Sequence, residues 1–131
     1  MKTLKYFLVD ASKHKTIVHQ LDFIGAFFQA KVNNRLFVKL YIIYTDVFPE
    51  YAKCFGRTLR LLKSIYGMTN SGKLFSDKLT EWLLEAGFIQ SQCHMSIYYK
   101  YAPDGSKTLV LSYVDDCVYW YTNKDTANLV C

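Results

Sequence analysis

The chain has 131 residues, 51% of them hydrophobic and 17% aromatic, with a formal net charge of +5. That is too apolar for a disordered chain, and one compact domain spanning 1–131 is the natural count. No stretch approaches the ~18 successive apolar residues that a membrane helix needs, and the positive balance suits a polyanionic partner without demanding one.

The first nine residues place Lys2 and Lys5 among apolar neighbours, but the run ends at Asp10, too short for a signal-peptide core. Leu4 to Ala11 reads as the last turns of a helix. It ends in the polar Ser12-Lys13-His14-Lys15. Ile17 to Asp22 is the first convincing strand, closed by an acid and followed by a bend at Gly25-Ala26. Arg35 to Tyr41 reads as a second strand, and Thr58 to Leu62 as a third that feeds into Ser64-Ile65-Tyr66-Gly67. Between Gly72 and Ala86, Leu74, Phe75, Leu79, Trp82, Leu83 and Ala86 fall on one face at helical spacing. Ser71 is placed to cap that helix, and Gly87 stands where a left-handed terminating residue is expected. Ser96–Tyr101 and Lys107–Tyr113 follow as strands around a Pro103-Asp104-Gly105 turn, Val118–Tyr121 as a last strand, and Thr122–Cys131 as the opening of a helix. This order implies an α+β fold, an antiparallel sheet with helices packed on one face.

Cys54, Cys93, Cys117 and Cys131 show no C-x-x-C spacing, and Cys93-His94 has no second pair to complete a zinc site. Ordinary thiols in a reducing, intracellular compartment follow, cytoplasmic or nuclear rather than secreted.

The chemistry concentrates in Leu109 to Tyr121, L-V-L-S-Y-V-D-D-C-V-Y-W-Y. Asp115-Asp116 lies between two strand-forming runs and reads as a tight hairpin turn. Two carboxylates at the end of a buried hairpin repel each other and call for a counter-charge, which a pair of Mg²⁺ ions would supply through oxygen ligands. Asp22, at the end of its own apolar strand, is the best third carboxylate. Taken alone, Asp115-Asp116 reads as an ordinary hairpin turn, since Asp is a common turn residue; it is Asp22 and the motif order that favour the metal site.

The order of these motifs carries a resemblance. Asp22-Phe23-Ile24-Gly25-Ala26-Phe27, then Ser64-Ile65-Tyr66-Gly67, then a helix, then Tyr113-Val114-Asp115-Asp116 resembles the reverse transcriptases of copia-type retrotransposons. Their pattern runs roughly H-Q-x-D-V-K-T-A-F, then S-L-Y-G-L-K-Q-A-P-R-A-W, then L-L-Y-V-D-D. The resemblance covers Ile17 to Leu129. It implies a polymerase palm and RNA-directed DNA polymerase activity on dNTP and an RNA or DNA primer-template. Mg²⁺ is the implied metal, with Mn²⁺ as the alternative.

By the same resemblance Asp22 and Asp115 would be direct metal ligands with Asp116 as the third, and all three are the candidate catalytic residues. Phe23, Phe27, Gly67, Asn70, Lys73 and Tyr113 are the candidate nucleotide-binding residues. Phe27 corresponds to the ring that packs under the incoming sugar and excludes a 2′-hydroxyl; its plainer reading is a core Phe.

The chain departs from the pattern at Thr69, where relatives carry Lys, at Asn70 for Gln and at Gly72 for Pro. Gly25 stands in place of a polar residue, and His94-Met95-Ser96 in place of D-P-C. The family's fingers strands would precede Ile17, and its thumb and ribonuclease H domain would follow Leu129, so a truncated or degenerate copy with weak or no activity is expected. Lys31, Arg35, Lys39, Lys53, Arg57, Arg60 and Lys63 could line a nucleic-acid track or simply be a solvated surface. The rival readings are a non-catalytic nucleic-acid-binding module, although the aromatic RNA-recognition signature is lacking, and an inert retroelement relic.

Overall fold

Apolar, aromatic and β-branched runs between Ile89 and Tyr121 fold into the main sheet, and helices cover it. The computed structural model describes residues 2–32, 35–39, 41 and 46–123. Its elements are α1 (Lys2–Lys13), β1 (His19–Asp22), α2 (Ala26–Gln29), β2 (Phe37–Lys39), a 3₁₀ segment (Pro49–Cys54), β3 (Thr58–Arg60), α3 (Ser71–Glu85), β4 (Ile89–Gln90), β5 (Ile97–Tyr101), β6 (Lys107–Tyr113) and β7 (Asp116–Tyr121).

Five strands form one sheet in the order β1-β7-β6-β5-β4, and β2 and β3 pair as a separate ribbon. Every pairing is antiparallel. The fold is α+β, as the element order implies.

The sheet is covered on both faces, not on one. Phe75 and Leu79 of α3 are buried with Ala26 and Phe27 of α2 against Tyr98, Val110 and Cys117, and Trp82 and Leu83 pack on the same cluster. This is the helix face expected from the apolar spacing of α3. On the opposite face, Phe7 and Ala11 of α1 are buried against Leu109, Leu111 and Trp120. Alternate residues of β6 therefore serve two cores, Val110 one and its two leucine neighbours the other. That is why β6 reads as an unbroken apolar run and not as an alternating one. The one-face expectation failed because α1 seats only two buried residues, Phe7 and Ala11 of its 12, and nothing local to them says which side of the sheet they cover.

Other boundaries shift for local reasons. β2 is shorter than the Arg35–Tyr41 strand expected, and β3 ends at Arg60. β4 was not foreseen, being only Ile89 and Gln90 paired with Tyr99 and Tyr98. Ser71 opens α3 but does not cap it; its hydroxyl donates to the Ile65 carbonyl at 2.5 Å, and Asn70 is the cap residue with no side-chain bond. Gly87 follows α3 at φ 83°, the left-handed termination expected there. The helix expected over Thr122–Cys131 falls outside the described residues from 124 onward.

The turn at Pro103-Asp104-Gly105 is held by Asp104, whose carboxylate accepts from the Ser106 hydroxyl at 2.6 Å, the Ser106 amide at 2.9 Å and Asn123 at 3.1 Å. These bonds, the Ser106 side chain first, hold the Asp104 carboxyl below its ordinary pKa.

Candidate functional site

The β6–β7 hairpin carries the adjacent acids. Tyr113 pairs with Asp116, so the two turn residues are Val114 and Asp115, and Asp116 already belongs to β7. The turn lies one residue earlier than an Asp-Asp turn would. Val114 has φ 57°, a left-handed backbone that β-branched residues rarely adopt. Positive φ at the first central residue matches the handedness of the flanking strands.

β1 lies beside β7 with Asp22 as the direct cross-strand partner of Asp116. Directly opposite residues project to the same face of an antiparallel pair, with Cα atoms ~4.5–5.5 Å apart. Asp22 and Asp116 thus form the carboxylate pair, and Asp115 sits in the turn beside them. Asp22 is exposed, whereas Asp115 and Asp116 are half-buried. Gln20, two residues before Asp22 and on the same face, donates from Nε2 to Asp116 Oδ1 at 3.4 Å. Its place in the Gln20-Leu21-Asp22 spacing was the signal for it, since period two puts positions 20 and 22 on one side of a strand.

The face bearing Asp116 opens into a cavity of about 430 Å³, lined in part by Gln20, Ser112, Tyr113, Asp116, Thr3 and Leu4. Behind it lies Cys117, whose thiol is pushed up to about 12 by burial and then by the Asp116 charge. It is held as an inert apolar group.

The carboxylate pair supplies hard oxygen ligands on one face, the ligand chemistry that Mg²⁺ or Mn²⁺ takes, with the Gln20 amide nitrogen turned toward Asp116. Among the described residues, no group of three His, Cys, Asp or Glu side chains converges into a ready metal cage. Asp115 is thus not gathered with the other two in this arrangement.

The candidate nucleotide residues divide into two groups. Phe23 and Phe27 turn into the core: Phe23 meets Phe75 edge-on at 5.4 Å, and Phe27, 9% exposed, meets Tyr66 at 4.6 Å and Phe75 at 6.3 Å. Tyr66 is itself exposed, so the Phe27 ring lies just under a surface aromatic. The Ser64 hydroxyl donates to the Phe27 carbonyl, tying α2 to the segment that leads into Gly67. Gly67 (φ 87°) and Asn70 lie on the exposed approach to α3, Lys73 is exposed in its first turn, and Tyr113 is 75% exposed at the end of β6. Phe23 and Phe27 therefore sit on the α3 side of the sheet, and Tyr113 on the side of the carboxylate pair.

Residues 1–129 match the family model described as reverse transcriptase (RNA-dependent DNA polymerase). The chain belongs to the reverse transcriptase family. No solved structure matches it.

Within the reverse transcriptase pattern, the departure at Gly25 has a local cause. Gly25 adopts φ 64° immediately before α2, and a Cβ there would stand 3.2 Å from the Phe28 ring. A polar side chain is strained at this position in this chain. The replacement of D-P-C by His94-Met95-Ser96 puts an imidazole where its Nε2 lies 2.5 Å from Thr3 Oγ1 of α1.

Proposed function

We propose that this chain is the palm of a copia-type retrotransposon polymerase and performs RNA-directed nucleotidyl transfer. The observation that carries the reading is the antiparallel register of Asp22 with Asp116, with Asp115 in the adjoining turn, in a chain that matches the reverse transcriptase family. In such a transfer the primer 3′-oxygen bonds to the α-phosphorus of a dNTP, and the bond to diphosphate breaks.

Asp22, Asp115 and Asp116 would hold Mg²⁺, or Mn²⁺ in its place. When bound, the metal lowers the pKa of the 3′-hydroxyl and neutralises the phosphoryl oxygens. Asp115 would join the pair through movement of the Val114-Asp115 turn. Gln20 orients the Asp116 carboxylate. Gly67, Asn70 and Lys73 would approach the nucleotide, with Lys73, in the first turn of α3, as the remaining cation there. Phe27 supports the floor beneath Tyr66, and Phe23 fixes α2 against α3. Tyr113 presents an exposed ring beside the carboxylates.

Charge supports a nucleic-acid partner. Residues 31–66 contain Lys31, Arg35, Lys39, Lys53, Arg57, Arg60 and Lys63 against only Asp46 and Glu50, a balance equal to the whole net charge of +5. Among the described residues none of those seven cations forms an ion pair or side-chain hydrogen bond. Lys31 and Lys63 stand directly opposite across a β-bridge, a repulsion that a phosphate backbone would relieve. Exposed Phe37, Tyr51 and Phe55 lie among them, rings on which single-stranded bases can stack. The cysteine spacing supports an intracellular setting for this activity.

The test is primer extension on an RNA template with Mg²⁺ or Mn²⁺. Incorporation is expected to be weak, because Thr69 and Asn70 remove a cation and a methylene of reach from the loop before α3. Asp115→Asn should abolish it. RNA binding without metal-dependent incorporation would favour a non-catalytic nucleic-acid-binding module; neither binding nor incorporation would leave a relic.

A further inference from the structure

We propose that α1 is an autoinhibitory cover on the sheet face that carries the carboxylate pair, and that it must lift before a primer-template can reach that face. The inference rests on the polymerase reading above.

The strand registers fix which face this is. Asp22, opposite Asp116, shares its side of β1 with Gln20, and Asp116 shares its side of β7 with Val118 and Trp120. Val118 and Trp120 pack with Phe7 and Ala11 of α1. The helix therefore lies on the carboxylate face, and its first turn, through Thr3 and Leu4, walls the same cavity as Asp116, Gln20 and Tyr113. At about 430 Å³ that cavity is of the size that holds a small molecule. A double helix cannot enter it, so a duplex that meets the exposed Asp22 engages Asp116 from this face only with α1 displaced.

On the helix side the contact is small, although it seals Leu109, Leu111 and Trp120 of the sheet. The apolar anchor is two residues, Phe7 and Ala11. The remainder consists of polar clips at the surface: Thr3 to His94 at 2.5 Å, and the Lys107 ammonium to the Asp10 carboxylate at 3.4 Å. The His14 ring stacks on Trp120 at 5.1 Å, past the end of the helix. Trp120 Nε1 is buried beneath α1 with no hydrogen-bond partner among the described residues, a donor that water would satisfy once the helix lifted. The connection to β1 passes through Lys15 at φ 51°, a left-handed residue at which the segment can pivot.

The test locks and loosens the cover in the full chain. In a background with Cys54, Cys93 and Cys131 changed to Ser, Thr3→Cys with His94→Cys should be bridged by a short bis-methanethiosulfonate reagent through two reducible disulfides, the oxidised state of this test. The reagent is needed because the Thr3–His94 contact runs through the far end of the imidazole. Failure to bridge the two thiols overturns the docked arrangement. A fluorescein-labelled RNA/DNA hybrid with an overhanging template is then titrated with Mg²⁺ present, by anisotropy. The oxidised protein should bind at least ten-fold more weakly than the same protein reduced. Thr3→Ala with Asp10→Asn, which cuts both clips without touching the core, should bind several-fold more tightly than the unmodified chain. It should also speed amide exchange within α1 while β6 stays protected. Equal hybrid binding in the oxidised and reduced states overturns the cover while leaving the polymerase reading intact. No binding in either state sinks the polymerase reading and the cover together.

Discussion

Asp22 and Asp116 face each other because antiparallel pairing puts partner residues on one side of the sheet, and that placement sets two like charges in opposition. Like-charged partners cost up to ~1 kcal/mol, so Asp116→Asn should stabilise the metal-free protein by about 0.5 kcal/mol while removing incorporation altogether. Thermal unfolding in a chelating buffer, run beside primer extension, checks both halves; a destabilised Asp116→Asn would show that the Gln20 contact outweighs the repulsion. Cys117 makes a second case. Its thiol is held at about 12, so it stays protonated through the range where ordinary cysteines ionise. Because the folded-state value is raised above 9.0, this group favours the folded state below pH 9.0 and that contribution is lost as pH climbs toward 12. Iodoacetamide at pH 8 followed by mass spectrometry should label exposed Cys93 and spare Cys117 until denaturant is added.

At the level of elements, the hairpin and α3 carry the site between them. Val114 holds the turn in a backbone state that costs an L-residue ~1–2 kcal/mol. Val114→Gly removes that strain against a smaller loss of chain entropy, and a gain of about 0.5–1 kcal/mol is expected in urea unfolding. The same change should loosen Asp115 and lower incorporation, which separates strain kept for position from strain kept by accident. α3 is fixed by Phe75, fully buried and touching both Phe23 and Phe27. Phe75→Ala should cost about 3–5 kcal/mol, the usual range for an emptied aromatic site.

For the whole molecule, charge and cover act on opposite sides of one event. Under the proposed function, the seven cations between Lys31 and Lys63, none in an ion pair among the described residues, would draw a polyanion toward the chain, whereas α1 would close the face where it reacts. Each phosphate contact contributes roughly 0.7–0.9 to the slope of log affinity against log salt. Lys39→Ala with Arg60→Ala should therefore weaken hybrid binding at every sequence and reduce that slope by about 1.5. An unchanged slope would mean that these two side chains only solvate the ribbon.

The motifs themselves determined much of this. The apolar spacing of α3, the strand at Lys107–Tyr113 and the turn at Asp104 are local patterns, and local patterns survive without tertiary contacts. The family, too, was written in the order of Asp22, Gly67 and Asp115-Asp116, because chemistry fixes residue types at given places along the chain. Tertiary structure alone decided the rest. Which acid faces Asp22 depends on strand register, a long-range choice between Asp115 and Asp116 that neighbouring residues do not encode. Phe27 became a core residue under Tyr66 because α2 docks on α3, a contact spanning more than forty positions in sequence. The seat of α1 was equally hidden: its apolar side shows that it must pack on something, and only the open face left by β6 and β7 settles where it lies.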